Sequence, residues 1–103
     1  MRSRKKQPSK AMYQAILSLR TLEECEQFFE DLCTDNELRS REQRYDVAAY
    51  LMQDMVYVDI LDRTGASSAT ISRVRRNILE NSQSGAMREI IMRLGDQNDA
   101  GNS

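Results

Sequence analysis

The chain contains no histidine and no tryptophan. Without histidine there is no Cys/His zinc site, no imidazole general base and no Ser/His or Cys/His nucleophile pair. Cysteine is scarce too. Cys25 and Cys33 stand eight positions apart on one predicted helix, too far along it to bridge each other, and read as structural thiols. With a single proline and four glycines in 103 residues, little punctuation remains for a sheet-rich fold. No Gly-rich phosphate loop occurs. No apolar run approaches the roughly 20 residues of a membrane span, and the basic N-terminus lacks the apolar stretch of a signal peptide. These absences exclude most enzyme and membrane classes, and we expect no catalytic residue, no metal and no membrane partner.

What is present is helix-forming and charged. Hydrophobic residues make up 40% and charged residues 30%, so a single globular all-α domain is expected. The net charge of −1 hides a segregation. Arg2, Arg4, Lys5, Lys6 and Lys10 crowd the N-terminus without an acid, whereas Glu23, Glu24, Glu26, Glu30, Asp31, Asp35 and Glu37 follow one another without a base. Such a split suits a molecule with a DNA-facing side and a DNA-averse side.

The stretch YVDILDRTGASSATISRVRRNIL, residues 57–79, concentrates the signal. Tyr57–Arg63 predicts a short helix that turns its apolar residues, Val58, Ile60 and Leu61, inward and leaves Asp59, Asp62 and Arg63 for water. Gly65 stands where a helix ends in the left-handed conformation, and Ser67 or Ser68 can cap a second helix. Ile71, Val74 and Ile78 then form an inward stripe at helical spacing. The outward face carries Ser68, Ala69, Thr70, Ser72, Arg73, Arg75, Arg76 and Asn77, with Ser67 at its start. Arg63, Arg73, Arg75 and Arg76 occur between 63 and 79 without one carboxylate. Short polar residues allow close approach to a major groove, and arginines further along can reach phosphates or guanine edges. This is a helix-turn-helix pattern; its bland counterpart is a helical hairpin with a solvated basic face.

The remaining chain supplies scaffold. Residues 1–8 read as a basic flexible arm, either a source of sequence-independent affinity for phosphates or a solvated tail. A first helix is expected over about Ser9–Leu19. Thr21–Glu24 and Thr34–Glu37 are capping boxes that open a second and a third helix, the third reaching about Gln53. Leu38, Tyr45, Ala48, Ala49, Leu51 and Met52 are its candidate core positions. Asn81–Gly85 reads as a loop and Ala86–Leu94 as a last helix, inside a domain spanning 9–94 and followed by a disordered tail over 95–103. The apolar stripes of the second and third helices exceed what small neighbours can cover. A homodimer is therefore expected, with two reading helices about one DNA turn apart on a palindromic site.

With these residues assembled, the chain resembles the Trp repressor superfamily, and within it the Trp-repressor-related small bacterial regulators. The resemblance spans about residues 10–94. It is carried by TGASSATISRV (Thr64–Val74), of which ATISR (Ala69–Arg73) is the most specific piece, and by LCTDNEL (Leu32–Leu38) followed by QRYDVA (Gln43–Ala48). Spacing between the blocks departs from the Trp repressor by about one residue near Gln53–Met55. The resemblance implies a six-helix intertwined homodimer, a bacterial cytoplasmic location and operator DNA as partner. It places Ser68, Ala69, Thr70 and Ser72 at bases, and Arg73, Arg75 and Arg76 at phosphates or base edges. Val58 and Leu61 replace basic residues, so a different operator is implied. It also implies a ligand pocket at Thr34, Arg44, Arg73, Val74 and Asn77. Val74 replaces a glycine that admits the indole ring, and Asn77 a serine that meets the amino group. Tryptophan is therefore not expected as cofactor, and another small-molecule effector is left open. The expected function is a sequence-specific transcriptional regulator acting as a repressor. The rivals are a dimeric helical interaction module and a small-molecule sensor without direct DNA reading.

Overall fold

The structure, a computed structural model, describes the backbone of residues 8–102 and side chains through residue 95. Residues 1–7 of the expected arm therefore lie outside the described residues. Six α-helices and no strand occur among the described residues: α1 (Ala11–Leu17), α2 (Leu22–Leu32), α3 (Asp35–Met52), α4 (Tyr57–Thr64), α5 (Ser68–Val74) and α6 (Ala86–Asn102). A π-helical segment, Arg75–Glu80, continues α5. The all-α expectation holds. The chain divides into two units, residues 1–38 and 39–103.

In the first unit, α1 is shorter than the expected Ser9–Leu19. Its last turn tightens, with the N–H groups of Ser18 and Leu19 bonding the carbonyls of Ala15 and Ile16 three residues back. The Thr34 capping box forms in full, whereas at Thr21 the Glu24 carboxylate accepts from the Arg20 N–H at 2.7 Å, one residue before the cap. The Thr21 hydroxyl accepts from the Glu24 N–H at 3.0 Å. At the start of α3, Thr34 Oγ1 accepts from the Glu37 N–H at 3.1 Å while Glu37 Oε1 accepts from the Thr34 N–H at 2.9 Å. Phe28 and Phe29 meet edge-on with centroids 5.3 Å apart. Neither α1 nor α2 contributes a buried residue.

The second unit holds the core: Val47, Ala48 and Leu51 of α3, Ile60 of α4, Ala66 of the turn, and Ile71 and Val74 of α5. Tyr50, Met55, Tyr57, Ile78, Leu79, Met87 and Ile91 pack partly buried around it. Two expectations are corrected here. Val58 and Leu61, expected inward, are 68% and 42% exposed, and the inner face of α4 is Tyr57, Ile60 and Thr64. Residues 57, 60 and 64 recur at i, i+3 and i+7, whereas 58, 60 and 61 cannot share one narrow face. The tail expected from Gly95 is instead helical, because α6 runs to Asn102. Its two glycines, Gly95 and Gly101, cost a helix only about 1 kcal/mol each, and no proline follows to stop it.

The turn between α3 and α4 ends α3 in a Schellman arrangement. The Asp54 N–H bonds the Leu51 carbonyl at 3.0 Å and the Met55 N–H bonds the Tyr50 carbonyl at 3.2 Å. This forces Asp54 to φ +62°, the left-handed region, at a residue with a Cβ. Asp54→Gly is expected to raise stability by about 0.5–1 kcal/mol, measured by urea unfolding. A loss of stability would mean that the Asp54 side chain, not its backbone, holds the turn.

Candidate nucleic-acid interface

Gly65 ends α4 at φ +75°, its N–H bonding the Leu61 carbonyl at 2.8 Å. Thr64 ties the turn together. Its hydroxyl donates to the Ile60 carbonyl at 2.7 Å and accepts from the Ala66 N–H at 3.1 Å. From α3, the Gln43 amide donates to the Thr64 carbonyl at 3.0 Å. Of the two candidate caps, Ser67 serves: its hydroxyl accepts from the Thr70 N–H at 3.1 Å. Buried Ala66, Ile71 and Val74 then seat α5 on the core and determine which way its other face looks.

That other face is the one singled out in the sequence. Ser67, Ser68, Ala69, Arg73, Arg75 and Arg76 are exposed, and Thr70 and Ser72 are half-buried. The polar side chains are organised among themselves. Thr70 Oγ1 lies 3.1 Å from the Ser67 hydroxyl and receives a long 3.4 Å contact from an Arg73 guanidinium nitrogen. Arg63 departs from the group: its guanidinium stacks over the Tyr50 ring at 5.7 Å.

Arg75 is held as well. Its guanidinium lies over the Tyr57 ring at 5.6 Å, and its Nε donates to the Tyr57 hydroxyl at 3.2 Å. This bond, and a second from the Ser72 side chain, holds the Tyr57 hydroxyl below its ordinary pKa of 10.0. The same bond raises Arg75 above its ordinary value. Tyr57 was not among the expected site residues. Its position at the start of α4, eighteen residues before Arg75, carries no periodic signal.

Beyond Val74 the winding widens. The Asn81 N–H reaches back to the Arg76 carbonyl at 2.9 Å, five residues away. Arg75, Arg76 and Asn77 nevertheless stay exposed, as the helical spacing predicts, and Ile78 still packs against the core. Arg88 of α6 donates to the Leu79 carbonyl at 3.3 Å near the segment's end, meeting an acceptor at a helix terminus.

Behind this face lies a cavity of about 380 Å³ lined by Ser40, Gln43, Arg44, Thr70, Arg73, Val74, Asn77 and Ile78. Arg44, Arg73, Val74 and Asn77 of the expected pocket thus come together. Thr34 belongs to the first unit, where it caps α3. Sequence reasoning missed Ser40, Gln43, Thr70 and Ile78 as lining residues. Ser40, Gln43 and Arg44 share one face of α3 at i, i+3 and i+4, a signal that was available.

The profile of the family described as Trp repressor protein matches residues 7–94. The chain belongs to the Trp repressor family. Among solved structures, this family member is similar to a TrpR-like protein from Eubacterium eligens, with 47% identity and a TM-score of 0.78 over 88% of this chain and 92% of that one. It is also similar to a protein from Staphylococcus aureus provisionally described as a Trp repressor, with 43% identity and a TM-score of 0.74 over 84% of each chain. The uncharacterized protein YerC of Bacillus subtilis (strain 168) is 54% identical over 65 residues, 63% of this chain. The Trp repressor family chain spans 62% of the length of that curated relative. No helix among the described residues is long and apolar enough to cross a membrane.

Proposed function

We propose that this chain is a sequence-specific DNA-binding transcriptional regulator, a repressor that occupies a palindromic operator as a homodimer. One observation carries the reading. Seated by buried Ile71 and Val74, α5 turns Ser68, Ala69 and Arg73 to solvent, and exposed Arg75 and Arg76 follow, in a stretch without a carboxylate from Arg63 to Leu79. Double-stranded DNA is a polyanion whose major groove accepts a helix of this kind. The face has no catalytic apparatus, and regulation of genes in a bacterial cytoplasm fits it better than catalysis.

The homodimer is supported by the first unit. Tyr13, Leu17, Leu22 and Leu32 are 59%, 86%, 77% and 51% exposed on helices without a fully buried residue. A second copy would cover these faces and set two α5 helices one DNA turn, roughly 34 Å, apart.

A second reading, regulation by a small-molecule effector, is favoured by the cavity, because Thr70 and Arg73 border it and belong to the DNA-facing set. Arg44 and Arg73 suit an occupant with a carboxylate or another planar acceptor. We propose that tryptophan is not that occupant, since Val74 is 4% exposed and its branched side chain forms part of the wall.

Selection of bound duplexes from random DNA, run with and without tryptophan at near-physiological salt, tests both points. The expected result is the same palindrome in both arms. No enrichment in either arm would favour the interaction-module reading. Enrichment only with tryptophan would overturn the account of Val74.

A further inference from the structure

The contact between Tyr57 and Arg75 crosses from α4 to the segment that continues α5. The helix-turn-helix pattern and the family resemblance both singled out Arg75, but neither singled out Tyr57. Tyr57 is half-buried and packs against the core, so its ring is a fixed platform. Arg75 is exposed, and a free arginine at such a position samples many rotamers. Here Tyr57 restrains it: Nε donates to the hydroxyl at 3.2 Å, which holds the guanidinium 5.6 Å from the ring centroid. The bond is made through the inner nitrogen and does not itself consume the terminal pair, the part of the fork suited to a phosphate.

We propose that Tyr57 is a positioning residue for DNA binding, which pre-orders Arg75 on the DNA-facing side so that its guanidinium meets a backbone phosphate already oriented. The inference rests on the DNA-binding reading above. Ordering a long side chain before the encounter removes a cost that binding would otherwise carry. The lowered pKa of Tyr57 and the raised pKa of Arg75 agree with a hydroxyl acting as acceptor toward a cation. Tyr57 touches no DNA in this scheme and acts through Arg75 alone.

The test is a double-mutant cycle of wild type, Tyr57→Phe, Arg75→Ala and the double variant on the duplex recovered by selection. Tyr57→Phe keeps the ring and its packing, so its melting temperature should match the wild type. Its Kd is expected to rise about threefold to tenfold for each subunit, the cost of immobilising one long side chain, or roughly tenfold to a hundredfold for a homodimer. Arg75→Ala should make the salt dependence shallower by about 0.9 for each phosphate it no longer neutralises. In the Arg75→Ala background, Tyr57→Phe should change nothing further. An unchanged Kd for Tyr57→Phe, or an equal loss with and without Arg75, would overturn the positioning role while DNA binding stood. A wild-type chain that binds no duplex would instead sink the DNA-binding reading, and this inference with it.

Discussion

Replacing Arg73, Arg75 and Arg76 together with alanine is expected to remove most of the affinity for duplex DNA and to flatten its dependence on salt. All three side chains are exposed beside or within the reading face, and no carboxylate lies between Arg63 and Leu79 to neutralise them. Neutralising a phosphate releases its counterions, so the slope of log K against log salt changes by about 0.9 per phosphate. A homodimer whose subunits each leave three phosphates unneutralised should therefore show a slope shallower by about 5. Fold stability should change little, because exposed side chains away from the core usually contribute within about 0.5 kcal/mol each. Arg63→Ala is a single-charge control. It removes one positive charge from the same stretch, but from α4 rather than from α5 or the segment that continues it. Fluorescence anisotropy across a salt series distinguishes the two. An unchanged slope for the triple variant would mean that α5 does not face the backbone, and the docking scheme would fail.

Ile71→Ala should unfold the second unit under mild conditions. Ile71 is 0% exposed and lies in the core cluster with Val47, Leu51, Ile60 and Val74. Deleting the buried carbons of such a side chain costs about 2–5 kcal/mol, the transfer energy plus the cavity left behind. Natural domains hold about 5–15 kcal/mol in total, and a chain this small belongs near the lower end. Val58→Ala is the informative partner. Val58 is as apolar as its neighbours, but it is 68% exposed, and its truncation should cost less than about 0.5 kcal/mol. Urea unfolding followed by circular dichroism measures both. Equal losses would mean that α4 sits with its other face inward. DNA binding should fall with Ile71→Ala as well, since the same side chain that closes the core determines which residues of α5 look outward.

This double duty explains why so much of the outward face of α5 was legible in advance. Ile71, Val74 and Ile78 recur at helical spacing, so the inward stripe of α5, and by subtraction its outward face, follows from periodicity. Gly65 and Ser67 mark the turn because left-handed backbone and free N–H groups demand particular residues wherever they occur. The same local chemistry located the helix caps at Thr21 and Thr34. These features depend on a residue and its near neighbours, and one chain in isolation specifies them.

What the tertiary structure alone decided depends on residues distant in sequence. On α4, Tyr57, Ile60 and Thr64 share one face at helical spacing and Val58 and Leu61 another, so spacing alone leaves two faces to choose between. Packing chose Tyr57 and Ile60. Choosing Tyr57 set its hydroxyl beneath Arg75, a pairing across eighteen residues with no local trace. The π-helical winding after Val74 was equally hidden. Its residues are ordinary helix formers, and neighbouring elements, with Arg88 on the Leu79 carbonyl, hold it. The cavity belongs to the same class, since its wall joins Ser40, Gln43 and Arg44 of α3 to Thr70, Arg73 and Val74 of α5. The sequence by itself determined the six helices, the turn and the charge of the face. Only the packed chain decided which groups on that face are held and by what, because burial is a property of the assembled core and not of any one helix.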